Sequence, residues 1–539
     1  MDNKTILDLN AFDIHGAREL GGDLESRVQR RARAFGAASV LFYERPLEFV
    51  RGEACRLYDA AGVAYLDAYN NVPSVGHAHP RVVEATSRQL SRLNIHNRYL
   101  HEGVVEYAER ILAGFPAALS NITFTCTGSE SNDLALRMAA CATGARGVIV
   151  TEAAYHGNTQ LVTGVSPTML KQEGVLPLEV RVIAAPDWRG MGGAPNVARG
   201  AGGAGVGSGA GVGNGGSVGS VGSGGGVASG AAGAGGAGAG AAAGAGVGSA
   251  RVEQLSQEFA ARVRAAIDDL QRSGVGFSAL LVDSIFSSDG VFAEPAGFLR
   301  GAVDAVHRAG GLFVADEVQC GFGRLGESLW GFDRHGVQPD VITLGKPMGN
   351  GYPMGGVVTR PDILAAFCAK YGYFNTFGGS PVAAAAGLAV LEVIEEEGLI
   401  ENARVVGEHL RRRLVELSTR HAHLGEVRGA GLYVGVDVVA GEGLGSDGGR
   451  SGGRGSKEHG SERRGSGGHG SAHGRVGSPA PALAQTLING LRERRVLIGA
   501  AGKFGHVLKI RPPLCFSTTD ADILVDSLDD VLLHLPGRR

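Results

Sequence analysis

Two charged residues, each placed directly after a short apolar run, are the first candidates for chemistry. Lys346 lies in TLGKPMGNG after the run VITL, and Asp316 ends the run LFVAD. Taken alone, Lys346 is most simply a solvated loop lysine, and Asp316 is a helix cap or a metal ligand. Together, at the ends of neighbouring strands, they indicate an electron-sink site. The lysine would form a Schiff base with an aldehyde, and the aspartate would hold the proton of a ring nitrogen.

A third motif is typical of a phosphate site. The segment Thr127–Asn132 reads TGSESN, follows the strand-like run Ile122–Thr125 and precedes a helical run rich in Ala and Leu. Backbone N–H groups at the start of a helix bind anions, and Gly128 permits a close approach. An ordinary N-cap explains the same residues equally well.

Tyr155 and two histidines are weaker candidates. Tyr155, in YHG after the run GVIVT, is placed to stack on a flat ring, although a tyrosine at a strand end usually packs in the core. His77 and His79 have no third ligand at a suitable spacing, so we predict no metal site. The 6 cysteines are widely separated and form no CxxC pair, which indicates neither a zinc ribbon nor a disulfide scaffold.

The elements that must position these residues alternate between strands and helices. Val252–Leu270 carries apolar residues at steps of three and four, typical of one face of a helix. The continuous apolar runs indicate strands covered on both faces; they are Gly147–Thr151, Ala279–Asp283, Leu312–Asp316 and Val341–Leu344. Strands separated by helices predict an α/β fold with a mostly parallel sheet, whose ligands bind at the carboxyl ends of the strands.

We predict three regions along the chain. Residues 1–70 form an N-terminal segment with a hairpin that packs with the last region, residues 71–360 form the large domain, and residues 361–539 form a smaller α+β domain. Two Gly-rich segments interrupt the last two regions, at 190–250 and 440–478; they hold 27 and 15 of the 89 glycines. Their composition is typical of flexible surface insertions. A GxGxxG match at 211–216 has neither a strand before it nor a helix after it, which argues against a dinucleotide site.

Bulk composition excludes several classes of protein. The formal net charge of −3 gives no basic footprint for nucleic acid. Neither an apolar run long enough to cross a membrane nor a signal peptide is found in the sequence. We therefore expect a globular protein of a reducing compartment, with a cytoplasmic location and partners that are neither nucleic acid nor membrane.

The order of the motifs is more specific than any one of them. The chain resembles the class III aminotransferases, pyridoxal 5′-phosphate (PLP) enzymes of fold type I, from about Leu41 to Leu533. The matching runs are NNVPSVGHAHPRVVEA, TGSESNDLALRMA, AYHGNT, LFVADEVQCGFGRLG, TLGKPMGNGYP and FNTFGGSPVAAAAGLAVL. The resemblance implies a fold type I architecture with a large PLP-binding domain.

The resemblance also assigns roles to residues around the cofactor. Lys346 matches the lysine that carries PLP, and Asp316 matches the aspartate paired with the pyridine nitrogen. The other implied cofactor contacts are Val318 and Tyr155 on the two ring faces, Gln319 at the ring's 3-oxygen, and Gly128 and Ser129 at the phosphate. Thr376, in FNTFGG, matches a threonine that the other subunit contributes to the phosphate. A homodimer with shared active sites is therefore implied.

Substrate recognition points to one branch of the family. VLKIRPPLCF resembles the branch that holds the ethanolamine-phosphate and phosphohydroxylysine phospho-lyases, and Arg511 within it is a candidate for binding a substrate carboxylate or phosphonate. Asn70 and Asn71 are further substrate candidates. The family commonly has Glu-Pro where this chain has Asp283–Ser284, so we expect the geometry behind the cofactor, which bears on the choice of reaction, to differ from that of the family.

Three functions remain open from the sequence. The first is an aminotransferase that moves an amino group from a small amine or amino acid to a keto acid. The second is a phospho-lyase or ammonia-lyase acting on a phosphorylated or phosphonate amine. The third, which the intact Lys346 and Asp316 disfavour, is a non-catalytic structural protein built around the Gly-rich segments.

Overall fold

The computed structural model describes Thr5 and residues 8–15, 20–38, 40–171, 176–187, 197–199, 245–441 and 477–535. Most of the two predicted Gly-rich insertions, including the GxGxxG match, lies outside these ranges. Within the first of them, Val197–Arg199 forms a strand, and a helix begins at Ala245. Alanine favours helix, so the Ala-containing end of that segment belongs to the helix that follows.

The described elements alternate along the chain as the sequence predicts. The strands are β1 (Phe49–Glu53), β2 (Arg56–Asp59), β3 (Ala64–Asp67), β4 (Asn121–Thr125), β5 (Gly147–Thr151), β6 (Val180–Ile183), β7 (Val197–Arg199), β8 (Phe277–Val282), β9 (Leu312–Asp316), β10 (Val341–Leu344), β11 (Gly355–Thr359), β12 (Leu424–Ala430), β13 (Tyr433–Val438), β14 (Val496–Leu497), β15 (Gly499–Ala501) and β16 (Val507–Ile510). The helices are α1 (Gly22–Phe35), α2 (Pro80–Leu90), α3 (Glu102–Leu112), α4 (Gly128–Thr143), α5 (Gln160–Gly164), α6 (Ala245–Arg272), α7 (Arg300–Arg308), α8 (Pro361–Cys368), α9 (Pro381–Glu396), α10 (Leu399–Arg420), α11 (Pro481–Glu493) and α12 (Thr518–Leu533).

The largest layer is an 8-stranded sheet in the order β4-β11-β10-β9-β8-β5-β6-β7. The strands from β10 to β6 are mutually parallel, whereas β11 and β7 run antiparallel to their neighbours. The four runs predicted as buried strands lie side by side in its centre. Their carboxyl ends therefore meet at one edge, where open α/β sheets bind ligands.

Both faces of this sheet are covered, which explains why its strands are continuously apolar. In β5, Val148 and Val150 pack with α4 on one face, and Ile149 packs with Phe259 of α6 in the core on the other face. Successive side chains of a strand point to opposite faces, so both sets must be apolar when both faces are buried.

Two smaller sheets accompany the large one, and one of them joins the beginning of the chain to its end. One has the order β12-β13-β16-β15, and the other has the order β1-β2-β3-β14. In the second sheet, Leu66 of β3 pairs in parallel with Val496 of β14. The predicted hairpin of Leu47–Asp67 is thus part of a sheet completed by the C-terminal region. The helices of the described ranges are all too short or too polar to cross a bilayer.

Candidate active site

A cavity of about 270 Å³ opens at the carboxyl edge of the large sheet. Thr343 of β10 pairs with Asp316 of β9, which brings the end of β9 beside Lys346, just beyond β10. The sequence-predicted residues that line the cavity are Gly128, Ser129, Tyr155, Asp316, Val318, Gln319 and Lys346. Residues from several separate loops therefore meet in one place, as the strand-end rule requires.

Asp316 is buried at the floor of this cavity and is fully hydrogen-bonded. Its Oδ2 accepts bonds from His156 Nδ1 at 2.7 Å and from Asn132 Nδ2 at 2.9 Å, and its Oδ1 accepts one from Val318 N at 3.0 Å. Burial by itself raises the pKa of Asp316, but the hydrogen bonds from His156 and Asn132 outweigh it and hold the pKa below its ordinary value. Asp316 is therefore an ionised carboxylate, suited to a protonated ring nitrogen.

His156 and Asn132 were not identified as site residues from the sequence. Asn132 receives a hydrogen bond from Thr343 Oγ1 at 2.7 Å and donates to the His156 carbonyl at 2.7 Å, so it joins α4, β10 and the loop after β5. The second ring nitrogen of His156, Nε2, is buried and has no hydrogen-bond partner among the described residues. The available signals were their places inside TGSESN and beside Tyr155.

Lys346 is partly buried at the cavity and feels the charges of one cation and two carboxylates. Burial lowers its pKa to about 8, with Arg511 adding to the decrease and Asp316 and Asp283 opposing it. A lysine amine is nucleophilic only when it is neutral. Its position therefore gives Lys346 a substantial neutral fraction near neutral pH.

The start of α4, where the sequence predicts a phosphate site, lines the cavity. The Thr127 side chain caps the helix by accepting a bond from Glu130 N at 3.1 Å. Facing it, Gly157 approaches so closely that a Cβ there would lie 2.5 Å from Ser129 Oγ. A Cβ at Gly128 would lie 2.9 Å from the Val318 methyl groups. The glycines thus keep backbone N–H groups at the helix start close to the cavity, where an anion binds best.

Arg511 lies behind this cavity, and its side chain is held by amide oxygens. Its Nη1 donates to Asn71 Oδ1 at 2.9 Å and to Gln319 Oε1, and its guanidinium stacks on the Tyr69 ring at 4.6 Å. Gln319 also donates through Nε2 to Ser287 Oγ at 2.9 Å. Both ends of the Gln319 amide are therefore engaged, and its contact with a ring oxygen stays a prediction.

A second buried basic side chain, Lys509, was missed in the sequence. It lies on β16 two residues before Arg511, which comes directly after the end of the strand. Lys509 is 3% exposed and lies 5.9 Å from the centre of the Tyr433 ring. Burial, then the charges of Arg511 and Lys346, lower its pKa well below the ordinary value. The period-two pattern of VLKIR was the only signal in the sequence.

In the described part of the chain, neither of these two basic side chains forms an ion pair, although the more distant charges of Asp283 and Asp289 oppose the lowering of the Lys509 pKa. The ion pairs found there include neither Lys509 nor Arg511, and the Arg511 Nε atom is buried without a hydrogen-bond partner. Buried charges are normally paired, because desolvating an isolated one is costly. An anionic group bound between them would supply the missing partner.

Four predicted residues lie outside the cavity lining, and one of them, Asn70, donates through Nδ2 to Asp67 Oδ2 at 3.0 Å. Asn71 and Arg511 contact each other behind it, and Thr376 is exposed on the surface. Asn375, next to Thr376, donates to Glu130 Oε2 at 3.0 Å, which places this loop beside the start of α4.

The two histidines of GHAHP have carboxylate partners. His77 Nε2 lies 2.6 Å from Asp67 Oδ2, and His79 Nε2 lies 3.0 Å from Glu397 Oε1. Within the described residues, no group of three or more His, Cys, Asp or Glu side chains is placed to hold a metal ion.

Comparisons with known proteins point to one enzyme family. The family described as Aminotransferase class-III matches residues 42–188 and 245–532. An alanine–glyoxylate aminotransferase 2-like protein of Drosophila melanogaster is 34% identical over 92% of this chain and 84% of its own length. The ethanolamine-phosphate phospho-lyase homolog 1 of Caenorhabditis elegans is 30% identical over 94% of this chain and 93% of its own length.

Solved structures give the same architecture. A phospholyase from Arthrobacter in complex with phosphoethanolamine is 38% identical, with a TM-score of 0.75 over 95% of this chain and 100% of that chain. An omega-transaminase from Thermomicrobium roseum has a TM-score of 0.67 at 23% identity over 94% of each chain, a likeness of fold alone. The predicted fold type I α/β architecture is thereby confirmed.

Proposed function

Because the chain belongs to the class III aminotransferase family, whose members use PLP, we propose that it is a PLP-dependent lyase that eliminates phosphate from a small phosphorylated primary amine. The observation that carries this proposal is the buried pair of basic side chains, Lys509 and Arg511, neither of which forms an ion pair with a carboxylate in the described ranges. We call these two residues the cation pair, because a bound phosphate would hold both in their charged forms. The sequence alone ranked an aminotransferase first, and the cation pair reverses that order.

The residues at the cavity fit the cofactor. Lys346 has the lowered pKa that a Schiff-base lysine needs, Asp316 is an ionised partner for a ring nitrogen, and the start of α4 suits a phosphate. Val318 and Tyr155 line the same cavity as candidates for the two ring faces. When bound there, PLP would act as the electron sink for the negative charge that develops on the substrate carbon beside the amine.

Lys346 is the proposed proton carrier. In its neutral form, Nζ accepts the proton from the substrate carbon that bears the nitrogen, and a pKa of about 8 keeps this form available near neutral pH. Asp316 stays ionised throughout, because His156 and Asn132 continue to donate to it. The site thus holds a base, Lys346, that titrates near pH 8, and a carboxylate, Asp316, that stays ionised at that pH.

The cation pair is proposed to hold the leaving group. A phosphate monoester carries nearly two negative charges at neutral pH and has three acceptor oxygens. It therefore complements two cations better than a ligand carboxylate, with its single negative charge, does. Its arrival would restore the proton that burial removes from Lys509. Two cations beside the departing phosphate also stabilise the charge that grows on it as its bond to carbon breaks.

An aminotransferase is the second candidate, and one residue favours it. Arg511 by itself can bind the carboxylate of an amino acid or keto acid. The Drosophila relative of 34% identity is named as an aminotransferase. In that case Lys509 would have no separate role in substrate binding.

We also propose that the enzyme is a homodimer with shared active sites. Phe377, beside Thr376, is 71% exposed, and Leu100 is completely exposed. Large apolar side chains of this kind on one surface mark a protein interface. A second copy seated there would bury Thr376 near a phosphate cradle.

Replacing Lys509 tests the proposed function. Loss of one charge-assisted hydrogen bond costs about 1.5–3 kcal/mol, so K509M should raise the KM for phosphoethanolamine by roughly ten- to a hundredfold. K509R should recover part of this loss, and K171M, at an exposed lysine, should change nothing. Cofactor content serves as the control for folding. An unchanged KM in K509M that retains PLP would refute the assignment.

A further inference from the structure

Two cysteines that lie 460 residues apart in the sequence meet behind the active site. The Sγ atoms of Cys55 and Cys515 are 3.4 Å apart and share a hydrogen bond. Cys55 is buried, and Cys515 is partly exposed. The cysteine spacing in the sequence gave no indication of a pair, because the contact arises from the pairing of the N-terminal hairpin with the C-terminal region.

The pair lies between the two segments that hold the proposed substrate residues. The Cys515 sulfur packs on Gly76, where a Cβ would come within 3.0 Å of it. Its neighbour Leu514 donates from N to the Ser74 carbonyl at 2.7 Å, and Ser74 Oγ donates to the carbonyl of Pro347, next to Lys346, at 3.0 Å. A displacement of Cys515 would therefore be transmitted through these hydrogen bonds to the loop that carries Lys346.

The same two segments meet again at Arg511. Its backbone N donates to the Ala68 carbonyl at 2.9 Å, and its side chain donates to Asn71 at 2.9 Å. Pro512 and Pro513 connect Arg511 to the cysteine and restrict the intervening backbone. Movement of Cys515 relative to Cys55 would thus shift Arg511 relative to Asn71.

We propose that Cys55 and Cys515 are a reversible oxidation site, in which hydrogen peroxide closes a disulfide that weakens substrate binding at Arg511. Bonded sulfurs are about 2.05 Å apart, so the two segments must move by roughly 1 Å or more for the bond to form. The effect on substrate rests on the proposed function, whereas formation of the disulfide does not.

The chemistry balances with peroxide as the oxidant. The Cys515 thiolate attacks one oxygen of hydrogen peroxide and becomes a sulfenic acid, releasing hydroxide. The Cys55 thiol then loses its proton and attacks the Cys515 sulfur, which releases a second hydroxide; the two protons and two hydroxides give two waters. The hydrogen bond with Cys55 lowers the pKa of Cys515 below its ordinary value, which favours Cys515 as the first to react.

Peptide mapping of the holoenzyme tests the disulfide directly. After peroxide treatment and alkylation, we expect one cross-linked peptide pair holding Cys55 and Cys515, lighter than the reduced pair by two hydrogen atoms, and its loss on treatment with dithiothreitol. The variants C55S and C515S should not form it, and either one suffices if the other fails to fold. Absence of the cross-link in the wild type, with both thiols free or irreversibly oxidised, would overturn the proposal.

Kinetics tests the consequence, with an exposed cysteine as the matched control. A shift of about 1 Å in a substrate-positioning group can cost up to about a hundredfold, so we expect the oxidised enzyme to show a KM for phosphoethanolamine raised on the order of tenfold. Dithiothreitol should restore it, C515S should resist peroxide, and C368S should respond as the wild type does. If C515S is equally sensitive, another thiol is responsible and the proposal fails.

Failure of the proposed function would be visible separately. If the reduced enzyme releases no phosphate, the affinity for the amine is read from the change in PLP absorbance on titration instead. An oxidised protein that carries the cross-link but binds the amine unchanged would refute the regulatory role.

Discussion

His156 and Asp316 form a buried pair, with His156 Nδ1 2.7 Å from Asp316 Oδ2. The opposite ring nitrogen of His156 has no partner among the described residues. Asn132 Nδ2 donates to the same Asp316 oxygen at 2.9 Å, so two buried side chains hold the carboxylate in place. The two donors favour the ionised form of Asp316, which suits a protonated ring nitrogen.

Removing the histidine donor should move the acid limit of activity. In H156F, Asp316 loses its strongest hydrogen bond, so its pKa should rise while burial continues to act. Since the lowered pKa makes the ionised form persist as pH falls, the variant should lose kcat at a higher pH than the wild type. We expect kcat at pH 7 to fall by about 10²–10³-fold. H156Q, which retains a donor, should recover part of the activity, and an unchanged pH–rate profile in H156F would contradict this role.

Gly157 should be essential for holding the cofactor. Its φ is +141°, and a Cβ added there would lie 2.5 Å from Ser129 Oγ, so G157A must displace the loop from the start of α4. We expect most of the PLP to be lost on gel filtration, measured by absorbance. The matched control is G372A, because Gly372 has open space around its Cβ position and an ordinary φ. Full retention of PLP in G157A would disprove the phosphate site.

Thr376 tests the shared active site. It is exposed in the single chain, yet its loop is fixed to the start of α4 through Asn375 and Glu130. If the second copy's threonine at this position completes the phosphate site, T376V should weaken PLP binding by about tenfold, the cost of roughly one hydrogen bond. Equilibrium dialysis and sedimentation would measure affinity and mass together. A monomeric enzyme that binds PLP tightly would contradict the homodimer.

Asp289 should make the enzyme less stable as pH rises towards neutrality. Burial raises its pKa to about 7, despite bonds from Thr151 Oγ1 at 2.7 Å and Ala153 N at 2.9 Å. A raised pKa means that the folded state binds the proton more tightly. Its contribution is therefore complete below about pH 4 and is lost as pH rises through about 7.

The variant D289N removes this titration while keeping the shape of the side chain. Between pH 5 and pH 8, the free energy of unfolding should fall less in D289N than in the wild type, by on the order of 2 kcal/mol. D268N, at an exposed position of α6, is the control. Chemical denaturation at both pH values checks this, and equal pH dependence in D289N and the wild type would rule it out.

The sequence predicted those parts of the molecule that depend on local pattern. The buried strands follow from continuous apolar runs, and Lys346 and Asp316 follow from their positions at strand ends. The order of motifs indicated the family, which the comparisons confirm. The strands could be predicted because helices cover both faces of the sheet, so each strand is a continuous apolar run.

The remaining features depend on contacts between distant segments. Lys509 lies in a short strand whose sequence does not reveal that its neighbour Tyr433 and the cation Arg511 surround it. The Cys55–Cys515 contact arises only once β3 pairs with β14. Local pattern cannot supply such pairings, so Lys509 and the contact between the two cysteines could not be predicted from the sequence.

The most direct test of the central claim is the stoichiometry of products in the absence of any keto acid. Purified holoenzyme is mixed with excess phosphoethanolamine, and ammonia, inorganic phosphate and the absorbance of bound PLP are followed together. The lyase account expects equal amounts of ammonia and phosphate over many turnovers, with the PLP spectrum preserved at the end. A single turnover that converts the cofactor to pyridoxamine phosphate, releases no phosphate and resumes only when a keto acid is added would contradict it and establish an aminotransferase.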